Sequence, residues 1–310
     1  MARARGAVGR WFDSKGWRDI VISVPFLWLL VFFLVPFVIV LAMSFARRAE
    51  LSPPIAFLDH WPYLQTGNFA RLLDDSLYLR AFLTSLWNAG LATLFCLLIG
   101  YPMALGITRV TRSWRNLLLM LVILPFWTSF LLRVYAWMGL LGANSWFNKV
   151  LTGLVNTILP ADRAMSSIPM MNSNFAVVLV MVYSYLPFMI LPLYANLEKL
   201  DQTLNEAATD LGSRPWQVFK DITLPLSIPG IIAGGLLVFI PASGELVIPS
   251  LVGNASDPMI GRVISDEFSS ARDWPMAAAV AVALLLALVM PIMAYTHFEK
   301  RAQERVEGRA

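Results

Sequence analysis

Glu206-Ala207-Ala208-Thr209-Asp210-Leu211-Gly212, followed after nine residues by Ile222-Thr223-Leu224-Pro225, is a short polar stretch in a chain that is otherwise mostly apolar. Glu206, Ala207 and Ala208 are good helix formers, and Gly212 can leave a helix at positive φ without steric cost. Ser213 reads as an N-cap, and Pro215 fits the first turn of a second helix. Trp216, Val218 and Phe219 give that second helix an apolar side, and Gln217, Lys220 and Asp221 give it a polar one. Pro225 is expected to end the unit before the next apolar segment. The pattern predicts two short helices hinged at a glycine, a compact knob suited to fill a pocket on a partner. The plainer alternative is an ordinary amphipathic loop helix.

The rest of the chain places this knob beside a membrane. Hydrophobic residues make up 58% of the 310 positions and charged residues 14%, against about 25% charged in a soluble domain. Charge-free stretches of membrane-spanning length recur, and a helix needs about 20 apolar residues to cross the hydrocarbon. Six helices are expected, near 20–45, 82–108, 116–140, 175–197, 227–248 and 275–298. The layout is then an amphipathic N-terminal surface segment 1–19, a six-helix domain 20–298 containing the polar loop 198–226, and a tail 299–310. The first apolar stretch is too long for the core of a signal peptide and reads as an uncleaved helix.

Lys and Arg set the expected orientation. One side carries Arg3, Arg5, Arg10, Lys15, Arg18, Arg109, Arg112, Arg115, Lys199, Arg214, Lys220, Lys300, Arg301, Arg305 and Arg309, which are 15. The other carries Arg47, Arg48, Arg71, Arg80, Lys149, Arg163, Arg262 and Arg272, which are 8. The positive-inside rule puts both termini, and the 198–226 loop with them, in the cytoplasm. The net charge of +4 thus belongs to membrane topology and not to a nucleic-acid surface.

Composition also narrows the chemistry. Cys96 is the single cysteine; it lies in an apolar span and reads as a packing residue. His60 and His297 are far apart in sequence with no ligand cluster beside them, so no metal site is expected. There is no G-x-x-x-x-G-K-[ST] phosphate loop and no triad arrangement. No cofactor is expected in this chain, and if it pumps a solute the energy would have to enter through a partner. No internal repeat is visible, so a pseudo-twofold pathway would need a second subunit. Prolines 36, 102, 125, 187, 192, 241 and 291 fall within the spans, as broken transport helices tolerate. Gly230 and Gly234, four apart, permit close helix contact. Two charges interrupt the spans, Arg133 and Glu245, and such groups face a cavity or each other.

The 206–225 stretch resembles the loop by which permeases of ATP-driven importers dock onto their ATPase subunit. That family's pattern is Glu-Ala-Ala, three residues, Gly, nine residues, Ile, one residue, Leu-Pro, and every fixed position is matched. The segments Leu124–Trp137, Met181–Pro187 and Phe239–Pro249 further resemble permeases of spermidine/putrescine importers, a likeness that extends over about residues 20 to 298. The resemblance implies an all-α membrane protein with the type I ABC importer permease fold, in a bacterial inner membrane. Glu206, Ala207, Ala208, Gly212, Ile222, Leu224 and Pro225 would couple to the ATPase, which binds ATP and Mg. The implied partners are a second, different permease, an ATPase dimer and a periplasmic polyamine-binding protein. Glu245, with aromatic faces from Trp127, Tyr135, Trp137, Tyr183 or Tyr185, would suit an ammonium group. Alternatively Glu245 pairs with Arg133 and locks an outer gate. Other cargoes, an amino-acid derivative or an anion met by Arg133, stay open, as does a scaffold subunit with no pathway.

Overall fold

The computed structural model describes residues 15–49, 55–56, 66–158 and 165–307. Most of the expected surface segment 1–19 lies outside the described residues. The chain divides into two compact units, Met1–Asp74 with Glu267–Ala310, and Asp75–Asp266.

In the first unit, α1 (Lys15–Leu29) passes through a π turn (Leu30–Leu34) into α2 (Val35–Ser44). Pro36 explains the irregularity, because proline has no N–H to donate and its ring clashes with the carbonyl of the preceding turn. Phe26, Trp28, Phe32 and Phe33 are all exposed, so the apolar surface runs around this helix and lipid is its natural solvent. Beyond α2, β1 (Arg47–Arg48) pairs antiparallel with β2 (Ile55–Ala56), Arg47 opposite Ala56. The amide of Asn68, on α3 (Gly67–Asp74), donates to the carbonyls of Ser44 and Ala46 at 2.9 and 3.0 Å, tying off the end of α2. The last helix of the chain, α14 (Trp274–Glu307), packs on α2 and α3. It runs well past the expected boundary at 298. Its N-terminal amides are met by Asp273, which accepts from the Met276 N–H at 3.1 Å and pairs with Arg71 at 3.3 Å.

The second unit is built on three packed helices: α4 (Ser76–Arg109), α8 (Asn174–Leu197) and α11 (Leu224–Ser243). Side chains cap the first two, Asp75 accepting from the Leu77 N–H at 2.9 Å and Ser173 from the Ala176 N–H at 3.2 Å. Small residues at four-residue spacing on α4 (Ala81, Ser85, Ala89, and then Ala92, Cys96, Gly100, Ala104) are buried and let neighbouring backbones approach. The expected close contact at Gly230 and Gly234 is present. A Cβ at Gly230 would stand 2.7 Å from Asn196 Cβ, and one at Gly234 would stand 2.8 Å from Met189 Sδ.

Two expected spans are broken. The helix expected at 116–140 divides into α5 (Arg112–Ile123), a 3-10 turn (Leu124–Trp127), α6 (Phe130–Leu141) and α7 (Trp146–Ile158), with a bend of 89° between the segments before and after Thr128-Ser129. Pro125 removes a backbone donor at the approach to the bend, and Thr128 and Ser129 take extended backbone. Arg133 therefore lies in the first turn of α6, beyond the bend, and not near the outer end of one straight helix. The helix expected at 227–248 starts earlier and stops sooner. It follows α10 (Pro215–Val218) and a π turn (Phe219–Thr223) directly, passes through Pro225 without ending, and terminates at Ser243. Glu245 is thus in a gap before α12 (Val247–Val252) and not within a helix. The unit ends within α13 (Ile260–Ser269).

Among the described residues, four helices are long and apolar enough to cross a membrane: Val21–Ser44, Ser76–Arg109, Asn174–Leu197 and Pro215–Ser243. The bent pair Arg112–Trp127 and Phe130–Ile158 makes a fifth if counted as one span, and Trp274–Val289 is a shorter apolar stretch.

Candidate functional site

Chain geometry at Glu245 follows from what surrounds it. Gly244 ends α11, and α12 must start with amides that have no helical partner. Glu245 Oε1 accepts from the first two of them, Val247 N–H at 3.0 Å and Ile248 N–H at 3.4 Å. Oε2 accepts from the hydroxyl of Tyr185, on α8. The residue is only 9% exposed. The backbone of the gap is held from the other side by α13: a Cβ at Gly261 would lie 2.7 Å from the Glu245 carbonyl oxygen, and the Ile260 N–H donates to Ser85 Oγ at 2.7 Å. The carboxylate is thus fixed in orientation, supplied with three neutral donors and buried.

The alternative ion pair between Arg133 and Glu245 is not formed. Ion pairs among the described residues include Arg71–Asp273, Arg115–Glu198 and Arg262–Asp266. Arg133 instead places its guanidinium over the rings of Phe126 and Phe130, at 5.3 and 5.5 Å from their centroids. Its Nε and Nη1 are buried and their N–H groups donate to no partner there. The bend at Thr128-Ser129 is the physical reason, because it turns the first turn of α6 back over the 3-10 segment that carries Phe126. Phe126 meets Phe188 edge-on at 5.1 Å, and Phe188 lies 6.2 Å from the ring of Tyr185. A run of rings therefore separates the two charges.

The expected aromatic residues divide into three groups. Tyr185 alone touches Glu245. Trp137 and Tyr183 meet each other edge-on at 5.5 Å, and Tyr183 lines an apolar cavity of about 590 Å³ with Met103, Leu121, Pro125, Pro187 and Ile190. Trp127 and Tyr135 are exposed, at 73% and 52%. Phe126, Phe130 and Phe188 were not singled out from sequence. The signal was there in spacing only, Phe130 three residues before Arg133 and Phe188 three after Tyr185.

The second feature is the loop at 198–226. Asp201 starts α9 (Gln202–Asp210) by accepting from the Thr203 N–H at 3.0 Å, and that bond holds its carboxyl below the usual carboxylate range. At the other end Gly212 N–H reaches the Thr209 carbonyl at 2.9 Å and Ser213 N–H the Ala208 carbonyl at 3.0 Å. This is a Schellman ending, with Gly212 at φ +85° as its sequence position requires. The N-cap of the next helix is Arg214 and not Ser213. Its N–H is taken by the Gln217 side chain at 2.7 Å.

Glu206, Ala207, Gly212 and Pro225 are exposed, whereas Ala208, Ile222 and Leu224 are half-buried. Leu211 and Trp216 project, 88% and 69% exposed, at the hinge. Trp216 stacks on Phe219 at 5.3 Å, Phe219 meets Tyr101 of α4 edge-on at 5.7 Å, and the Tyr101 hydroxyl is hydrogen-bonded to Ser227 Oγ at 2.9 Å. The protruding tip is thus connected through packed rings to both α4 and α11.

Residues 96–304 match the family described as the binding-protein-dependent transport system inner membrane component. The chain belongs to that family. As a permease component of this kind it is a multi-pass protein of the inner membrane. It is 40% identical, over 95% of its length and 98% of the relative's, to the spermidine/putrescine transport system permease protein PotB of Haemophilus influenzae. Identity to the protein of the same name in Escherichia coli is 38%, over 90% of this chain and 97% of that one. Among solved structures, the bacterial alginate ABC transporter in complex with an alginate pentasaccharide-bound periplasmic protein contains a chain that superposes with a TM-score of 0.68 at 19% identity, covering 94% of this chain and 97% of that chain. The ABC importer permease fold expected from the loop motif is the fold found.

Proposed function

We propose that the protein is the permease subunit of an ATP-driven importer that moves polyamines, putrescine or spermidine, into the cytoplasm. The observation that carries this reading is the Glu245 carboxylate: buried, oriented by neutral donors, and without a cation within ion-pair distance among the described residues. Such a group at membrane depth favours arrival of a positive charge. The similarity to PotB proteins supports the same cargo.

In this reading six spans place both termini in the cytoplasm, as the Lys and Arg count favours. The 206–225 loop then faces an ATPase dimer, which binds ATP with Mg and hydrolyses it. The exposed Leu211 and Trp216 are the apolar tip that such a partner would cover. A second, homologous permease completes the pathway, and a periplasmic binding protein delivers the cargo, as the bound periplasmic protein in the alginate transporter complex illustrates for that transporter. A second reading, an anionic solute, is favoured by the buried, unpartnered nitrogens of Arg133.

Uptake of radiolabelled putrescine and spermidine, with glutamate as the anionic comparison, separates the two. The test uses cells that carry the complete transporter and no other polyamine uptake. Polyamine uptake lost in Glu245→Gln supports the first reading. Uptake of the anion alone, abolished by Arg133→Gln, would overturn it.

A further inference from the structure

The two oxygens of Glu245 have different neighbours, and this gives them different work. Oε1 is committed to the fold, because it takes the Val247 and Ile248 amides and so starts α12. Oε2 has one partner, the Tyr185 hydroxyl, which is carried by a different helix, α8. An ammonium N–H is a stronger donor to a carboxylate oxygen than a phenol O–H. Tyr185 is 8% exposed, so its hydroxyl has no bulk water to turn to and stays on Oε2 until another donor takes the place.

We propose that Oε2 is the atom that receives a substrate ammonium group and that Tyr185 is its resident donor, a specificity-determining residue that the substrate must displace. This rests on the reading of the chain as a polyamine permease. The consequence is selection by donor strength. A cation that offers a charged N–H replaces the phenol at little net cost, whereas a neutral amine or alcohol gains too little to do so. Displacement also breaks the hydrogen bond that joins α8 to the gap between α11 and α12.

Substitution at Glu245 by its amide separates the two oxygens' roles. In Glu245→Gln the side-chain carbonyl can keep the Val247 and Ile248 amides, and the NH2 group can donate to the Tyr185 oxygen. The gap keeps its hydrogen bonds and loses its charge. In Tyr185→Phe the cap and the charge remain and only the competitor is gone.

The experiment is equilibrium binding of radiolabelled spermidine to the assembled transporter in nanodiscs, without its binding protein. Glu245→Gln should weaken binding at least tenfold. Tyr185→Phe should tighten it about three- to tenfold, the factor that one net hydrogen bond is worth. In the Glu245→Gln background the Tyr185→Phe change should alter affinity by less than twofold. Spermidine should also evoke a tyrosine ultraviolet difference signal that Tyr185→Phe lacks, a readout that a purely structural tyrosine would not give. Unchanged or weaker binding by Tyr185→Phe, with the wild type binding normally, overturns the role given to Tyr185 and leaves the polyamine reading standing. A wild-type transporter that neither binds nor imports spermidine overturns both.

Discussion

Three aromatic rings stand between Glu245 and Arg133: Tyr185, whose hydroxyl donates to the carboxylate, then Phe188, then Phe126, whose face carries the guanidinium at 5.3 Å. Charges separated in this way influence each other weakly compared with a contact pair. Glu245→Gln and Arg133→Gln should therefore act independently, their effects on initial uptake rate multiplying to within about 0.5 kcal/mol when combined. Arg133→Gln forfeits cation–π contact worth roughly 0.5–2 kcal/mol. A double mutant that transports much better than that product would show that the two charges pair during the cycle.

Gly212 holds φ at +85° in the Schellman turn that hinges the loop. A Cβ there meets nothing within 4 Å, so the penalty expected of Gly212→Val is conformational, about 1–2 kcal/mol. The valine variant should insert in the membrane at wild-type levels but lose transport. Gly212→Asn, which tolerates positive φ, should retain most of it. Equal transport by wild type and the valine variant, with the ATPase bound, would exclude this loop as the coupling element.

Adjacent glycines on α11 should differ sharply. At Gly234 a methyl group would press on Met189, with Sδ at 2.8 Å and the carbonyl oxygen at 3.1 Å, while at Gly235 its nearest neighbour is Thr93 Cγ2 at 3.8 Å. Gly234→Ala should cost about 1–3 kcal/mol by overpacking, read as a lower melting temperature of the purified protein. Gly235→Ala should be neutral or slightly stabilising.

The Asp201 carboxyl is held low by the Thr203 amide. The contribution of this cap is present above the ordinary carboxylate pKa of about 3.9 and is lost only as pH falls through the lower folded value. Transport should therefore show no dependence on this group between pH 5 and pH 8, and Asp201→Asn should leave that part of the pH profile unchanged. A profile that moves in the variant would contradict the cap.

Orientation can be tested against a clean background, because the native thiol Cys96 is fully buried. A cysteine at Ser256 should react with an impermeant thiol reagent added to cells with a permeabilised outer membrane, and one at Ser213 should not. Equal labelling of both would overturn the arrangement argued from Lys and Arg.

Sequence showed the hinge at Gly212, the tight approach at Gly230 and Gly234 and the course of α8, because each rests on a local rule: positive φ, small-residue spacing, or an unbroken apolar run. The bend at Thr128-Ser129 and the gap at Glu245 were hidden by the same apolar composition that marks a span. A proline in such a run can be absorbed, as Pro225 is in α11, or can precede a sharp turn, as Pro125 does. Which of these happens depends on neighbours far along the chain, such as Gly261 against the Glu245 backbone. The separation of Arg133 from Glu245 was hidden for the same reason. Depth along two straight helices suggested a meeting, and both helices are broken.

The π turn at Phe219–Thr223 lies between the protruding Trp216 and helix α11. A π turn carries one more residue than an α turn, and each residue of an α-helix is a step of about 100° around its axis. The direction in which Trp216 faces is therefore an angular setting of the whole arm, fixed by residue count. Removing one residue between Val218 and Leu224 would restore a regular helix and leave the tip facing much as it does, whereas removing a second would swing it by about 100°. The nine positions between Gly212 and Ile222 thus measure an angle as well as a length.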